Sequence, residues 1–284
     1  MSFPFPSITC ARAYRGRERL VAAFRKYYDI NGQDTASHYI QGQSKISATY
    51  KFSNEDKARL DTANAHAVLA NTTPTAFWTV YHIISDPAIL EEVRAAITPR
   101  VSIKSKNGIE QYEIDVTHVS EISILRSILY ECLRHYGNGA GARVIIEDTL
   151  LDNQYLLKKG SFIFMPNRYY HFDPSLWGPT VDTFDSHRSM KSKTHPGAFR
   201  GFGGGVSLCP GRFFAMNGIL AICAMLAMRF QFKPMQGKWV HPGTDKSNIT
   251  LLVHPPKETV LVDFEPRKDW NSKPWAFSYN ETSN

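Results

Sequence analysis

Residues 202–212, Phe-Gly-Gly-Gly-Val-Ser-Leu-Cys-Pro-Gly-Arg, bring one ionisable sulfur to a bend in the chain. Three successive glycines serve neither helix nor strand; they permit backbone angles and close approaches that a side chain would block. Cys209 stands where the bend passes into an apolar, helix-forming run, Phe213–Met228, with Pro210 suited to the first helical turn. A helix start offers unpaired N–H groups and the positive end of a dipole, and both favour a sulfur anion. A thiolate held by peptide donors beneath a glycine bend is what a cysteine-ligated haem iron requires. Other readings of the stretch are a nucleotide-binding glycine loop, a buried structural cysteine and a nucleophilic cysteine. The first has no regular strand before it, and the last needs a positioned His base that the sequence does not place.

Two further groups are unusual for their surroundings. Asn71-Thr72-Thr73-Pro74 sets three polar side chains and a proline inside an apolar helical pattern over about 54–84. Pro74 cannot donate to the carbonyl of Ala70, so the helix should kink or widen there. Thr hydroxyls or a water can serve the freed carbonyl, leaving a polar notch in an apolar wall. Glu131 and Arg134 lie three apart on a helical pattern over about 117–135 and can pair. An exposed ion pair of about 0.5 kcal/mol is the ordinary reading of such spacing.

Together these residues resemble one family. Phe202, Gly205, Cys209 and Gly211 match the Phe-x-x-Gly-x-x-x-Cys-x-Gly haem-thiolate signature of cytochromes P450, with Ser207 where Arg or His is usual. Within that signature the resemblance assigns Cys209 to the iron, and Phe202, Gly203 and Gly211 to the cofactor loop. The notch is similar to the distal-helix Ala-Gly-x-Asp/Glu-Thr-Thr stretch, with Asn71 near the position of the acid, so Asn71, Thr72 and Thr73 are the implied catalytic residues facing dioxygen. Ala70, Asn71, Thr72, Pro74, Phe77 and Trp78 further resemble the branch containing sterol 7α-hydroxylases and prostacyclin synthase. Glu131-x-x-Arg134 resembles the family's invariant pair, whose third partner would be Arg188; the resemblance implies a buried structural triad. Arg143 stands where a haem-propionate Arg is usual, since a guanidinium suits carboxylates, although an edge-strand Arg reads equally well. His171-x-Asp173-Pro174 and Trp177-Gly178 also look like the family's segment here and read as turn chemistry, not as ligands.

The whole chain fits this picture. Its 284 residues can bury a substantial core, and a net charge of +7 is moderate. Arg12, Arg15, Arg17, Arg19, Arg25 and Lys26 cluster, and read as a solvated helix face, not a nucleic-acid surface. A positive surface could help to dock an acidic electron donor. Cys10, Cys132, Cys209 and Cys223 have no C-x-x-C spacing, so neither zinc nor a disulfide framework is indicated. No signal peptide is evident, and Phe213–Met228, interrupted by Asn217 and Gly218, reads as too short to span a bilayer and as buried on all sides.

Elsewhere residues 1–10 read as an irregular lead-in, 11–29 as a helix and 34–41 as a short one, with loop to Lys51. Ser53 is a good N-cap, with Glu55 and Asp56 in the first turn. Residues 87–97 suit an amphipathic helix, and 100–111 a polar exposed stretch. Short strands are expected over 142–146, 155–157, 161–164, 251–253 and 259–264, with an irregular tail from Lys268.

The expectation is therefore a mainly α fold with a small β part, P450-like over about residues 11–264. Read as one domain, 1–284, it is N-terminally truncated: the family's anchor and several early helices precede this portion. The resemblance implies haem b (iron protoporphyrin IX) and insertion of one oxygen atom from O2 into a lipophilic substrate that is sterol-, fatty-acid- or terpenoid-like. It also implies electrons from NADPH-cytochrome P450 reductase or a similar donor, and full-length relatives on the cytosolic face of the endoplasmic reticulum membrane, the anchor being absent here. A haem-thiolate isomerase or dehydratase using a peroxide, and a non-enzymatic fragment, remain alternatives.

Overall fold

A computed structural model describes residues 5–191, 195, 197–248 and 251–279. They form two compact units, up to Leu69 and from Ala70 onward. In the first, α1 (Pro6–Thr9), α2 (Ala11–Asp29), α3 (His38–Thr49) and α4 (Asn54–Ala67) follow in order. Ser53 caps α4 in a reciprocal box with Asp56. Buried Asp61 of α4 accepts from Tyr28 of α2 and from Gln43 of α3 (3.1 Å), tying three helices to one carboxylate. Arg12, Arg15, Arg19 and Lys26 lie on the exposed side of α2, while Arg17 pairs with Glu18 and Arg25 with Asp29. Two expectations change: Pro6–Thr9 is helical, and the stretch read as loop to Lys51 is α3. An open cleft of about 600 Å³ in this unit is lined by Tyr39, Ile46, Tyr50, Phe52 and Leu60, and includes none of the residues assigned to chemistry.

Helical residues run unbroken from Asn54 to Ile84, but Val68–Thr72 widen into a π segment before α5 (Thr73–Ile84). This is the local answer to Pro74: the Thr75 hydroxyl serves the carbonyl of Asn71 (2.7 Å), one residue on from Ala70.

In the second unit α6 (Pro87–Ile97) precedes a hairpin of β1 (Val101–Lys106) and β2 (Ile109–Asp115). Its turn is Asn107-Gly108, both at positive φ, as a two-residue hairpin requires. The polar stretch is thus largely exposed, as expected, and forms a strand pair. The helix expected over 117–135 is two: α7 (Val116–Ser120), capped by Asp115, and α8 (Ser123–Tyr136). Between them Ile122 is extended and buried. After α8 come β3 (Ala140–Val144), β4 (Thr149–Leu151), β5 (Tyr155–Leu157) and β6 (Phe162–Pro166), with antiparallel pairs β3–β6 and β4–β5. Short α9 (Asn167–His171), α10 (Pro174–Trp177) and α11 (Arg188–Lys191) lead to the thiol loop and α12 (Arg212–Arg229). β7 (Phe230–Pro234) then pairs with β8 (Val262–Pro266). Residues 251–253 are not a strand: Val253 makes an isolated bridge to Gly137 and the Leu252 carbonyl accepts from Asn138 N–H (2.8 Å), while the tail forms β9 (Trp275–Ser278), parallel to β2.

The core lies among α5, α6, α8 and α12, all facing one another through buried aliphatic and aromatic side chains. α12 is not buried on all sides: Phe213, Phe214 and Ile222 are exposed. It is also, at 18 residues and mean hydropathy 1.4, long and apolar enough to cross a membrane by length and composition, contrary to expectation. Its packing against α5, α6, α7 and α8 is that of a core helix.

Candidate haem-thiolate site

The thiol loop is built from its glycines outward. Gly203 (φ 80°) and Gly205 (φ 62°) occupy the left-handed region that other residues avoid. Gly201 is required by contact: a Cβ there would lie 2.9 Å from Leu133 Cβ on α8 and 2.5 Å from Phe199. The loop closes when Cys209 N–H donates to the Phe202 carbonyl (2.9 Å). Pro210 is not in the first helical turn; α12 begins at Arg212 with Gly211 as N-cap, and Cys209–Gly211 form the turn before it. The sulfur still sits beside the helix start, 3.9 Å from where a Gly211 Cβ would be. Arg212, unremarked in the sequence, donates to the Cys209 carbonyl (3.0 Å).

Cys209 is half-buried and unpaired, whereas Cys132 and Cys223 are buried in the core. Burial pushes the Cys132 thiol up and Cys223 to about 12, so both stay protonated and inert. Next to Cys209 in the chain Val206, Leu208, Phe213 and Phe214 are exposed, with the Arg212 guanidinium over the Phe213 ring (4.3 Å), and nothing lies within 4 Å of a Cβ built on Gly218, one turn from Phe214. A free sulfur on a glycine bend, at a helix start and among exposed apolar side chains, fits a flat apolar macrocycle bound through iron.

Behind the loop is a buried ion network. Arg134 donates to both oxygens of Glu131 (2.8 and 2.7 Å), and Arg188 Nε adds a third bond (3.0 Å). The Asp185 N–H supplies a fourth (3.1 Å). Two cations thus share one anion, and the surplus charge rests on carbonyls: His171 for Arg134, and Thr180 and Thr183 for Arg188. Arg134 is 0% and Glu131 2% exposed in their side chains, so this is no surface pair.

The other assigned residues are placed less tightly. Asn71 and Thr72 are half-buried at the end of the π segment, and Thr73, exposed, opens α5, which packs on α12. Arg143 is an exposed β3 residue whose guanidinium bonds the neighbouring Ala142 carbonyl (2.8 Å).

A histidine-rich core adjoins the network. His241 Nδ1 accepts from Gly243 N–H (3.1 Å), which fixes its proton on Nε2, facing Tyr136 Oη at 3.0 Å. Tyr136 must then donate to His82 Nε2 (2.7 Å). Burial pulls His82 down to about 3, helped by His241 and His135. It pulls His135 and His171 down to about 4; the Arg134 charge adds to the fall and Glu131 opposes it, while the Arg134 carbonyl that bonds His171 also opposes it there. Between pH ~6.5 and ~4 the unfolded chain therefore binds protons that the folded chain refuses. Stability should be greatest above pH ~6.5 and fall through this window by roughly 1.4 kcal/mol per pH unit for each such histidine. Urea midpoints at pH 7.5 and pH 5 check this: the midpoint at pH 5 should be clearly lower.

Comparison with known proteins agrees with the geometry. The cytochrome P450 family profile matches residues 17–262. The chain is 31% identical to the cytochrome P450 monooxygenase nodJ of Hypoxylon pulicicidum over 290 residues, covering 97% of this chain and 56% of that protein. It is 26% identical to the cholesterol 7-alpha-monooxygenase of Cricetulus griseus, over 89% of this chain and 54% of that protein. It spans about half the length of these curated relatives. With most of its length matched by one family, and with a fold mainly of helices with a small β part, the chain belongs to the cytochrome P450 family.

Proposed function

We propose that this chain carries the haem-thiolate part of a monooxygenase, with Cys209 as the axial ligand to haem b. The observation that carries the reading is the Gly203–Gly205 bend, which delivers a half-buried, unpaired sulfur to the start of α12 among exposed apolar side chains. When bound, the haem supplies oxygen activation, to which a thiolate ligand contributes electron density. The chain's own residues hold the sulfur through Phe202, Gly211 and Arg212, and exclude water with Leu208, Phe213 and Phe214. Asn71, Thr72 and Thr73 would offer hydrogen bonds and a proton to oxygen, and Arg143 would meet a propionate. Glu131, Arg134 and Arg188 are structural in this reading, locking the helix under the loop. The substrate would be a lipophilic molecule, a sterol being one candidate in view of the 7α-monooxygenase relative. The electrons would come from NADPH-cytochrome P450 reductase or a similar donor.

The test is the absorbance of the haem-loaded, reduced protein under CO. The native chain should give the strongly red-shifted Soret band of a thiolate-ligated haem, and Cys209→Ala should lose it. An unshifted band, or equal spectra for the two proteins, overturns the assignment. Failure to take up haem at all would favour a non-enzymatic fragment. Oxygen insertion that requires NADPH and donor, and does not proceed with a peroxide alone, separates the monooxygenase from a peroxide isomerase.

A further inference from the structure

His171 lies at the end of α9 and is completely buried. Both ring nitrogens are used, and both partners are backbone. Arg200 N–H donates to Nε2 (2.9 Å), which makes Nε2 an acceptor and places the ring proton on Nδ1. Nδ1 then donates to the carbonyl of Arg134 (3.1 Å), at the carboxyl end of α8. Four residues earlier on α9, Asn167 donates to the carbonyl of Arg200 (2.9 Å). Both peptide groups of Arg200 are therefore held from α9, and α9 is itself held by Arg134, whose Nη1 bonds the His171 carbonyl (2.6 Å). Phe199 stacks on the His171 ring (5.8 Å, 16°), and Gly201 is pressed onto Leu133. The next link is Phe202, whose carbonyl receives the Cys209 N–H.

We propose that His171 is a positioning residue for the thiol loop: its imidazole splints Arg200 to the end of α8, and so registers Cys209 against the helix that carries Glu131 and Arg134. The role of this splint in haem ligation rests on the reading of Cys209 as the ligand. The splint itself does not, because it is a property of the loop without cofactor. An apolar side chain of similar size fills the site but leaves a part-buried N–H and a buried carbonyl without the ring that paired them, which favours an opened loop. A carboxamide can restore one acceptor and one donor.

The test compares His171→Leu with His171→Gln in a Cys10→Ser background. In haem-free protein, iodoacetamide reads Cys209, since Cys132 and Cys223 are buried. His171→Leu should be alkylated about tenfold faster, the factor that corresponds to about 1.4 kcal/mol of lost loop closure. His171→Gln should return most of the way to the native rate. In the haem-loaded, CO-bound protein, His171→Leu should show a larger share of the unshifted Soret form, and His171→Gln a smaller one. Equal alkylation rates for all three folded proteins overturn the proposal. So does a Leu effect that Gln fails to reduce, because general loosening would explain it. If His171→Leu does not fold, Asn167→Ala, which removes the other hold on Arg200, must itself speed alkylation, and an unchanged rate overturns the proposal. If the native protein takes up no haem, the assignment of Cys209 as ligand fails while the alkylation arm still decides the splint.

Discussion

Arg134→Ala is expected to lower the unfolding free energy by about 3–5 kcal/mol, enough to leave little folded protein at 37 °C. The magnitude follows from what remains. Glu131 would stay in a site where its side chain is 2% exposed, keeping one bond from Arg188 and one from Asp185 N–H, but losing the two-pronged partner. The His171 carbonyl would also lose its donor. A urea titration followed by far-UV circular dichroism measures the loss. A double variant, Glu131→Leu with Arg134→Leu, should be less destabilised than the sum of the two single changes, because only Arg188, still bonded to the Thr180 and Thr183 carbonyls, then keeps a charge without its carboxylate. A cost under about 1 kcal/mol for Arg134→Ala, the value for an exposed pair, would show that the network is not holding α8.

Trp78→Ala should cost a similar amount, about 3–5 kcal/mol, by a different route. Trp78 is 0% exposed, stacks on Tyr136 at 3.8 Å and donates from Nε1 to the His254 carbonyl (2.8 Å). Truncation opens a cavity between α5 and α8 and frees the segment after Val253 from its anchor. Trp78→Phe separates the two effects: most of the ring volume stays, while the His254 carbonyl loses its donor, for about 1–3 kcal/mol. Thermal or urea midpoints of the three proteins should fall in the order native, Phe, Ala. Equal midpoints for Phe and Ala would assign the whole effect to the hydrogen bond.

Residue type carried much of this site. The glycine bend before Cys209 is specific because few backbones need that composition, whereas the spacing of Glu131 and Arg134 alone reads as an exposed pair, and it was the family resemblance that implied their burial and named Arg188. The widening near Pro74 followed from one missing N–H. What escaped was set by partners that carry no side-chain signal. His171 looked like turn chemistry because both atoms it bonds are peptide groups, and any residue at 134 or 200 would present them. Asp173 beside it does cap α10. The break at Ile122 is a burial decision made by the core, since the local pattern continues helically through it. The parallel pairing of β9 with β2 joins residues more than 150 positions apart and has no local cue. The Asn107-Gly108 hairpin had a cue, a turn dipeptide between strand-forming runs, that the polarity of its surroundings obscured.

The bond from Arg200 to His171 has a thermodynamic counterpart. Coupling between two sites is reciprocal, so a contact that lets α8 order the sulfur also lets an ordered sulfur tighten α8. Cofactor capture and chain folding then draw on a single free energy. By mass action, the loaded chain would exceed the empty one in stability by an amount that grows with the logarithm of haem concentration.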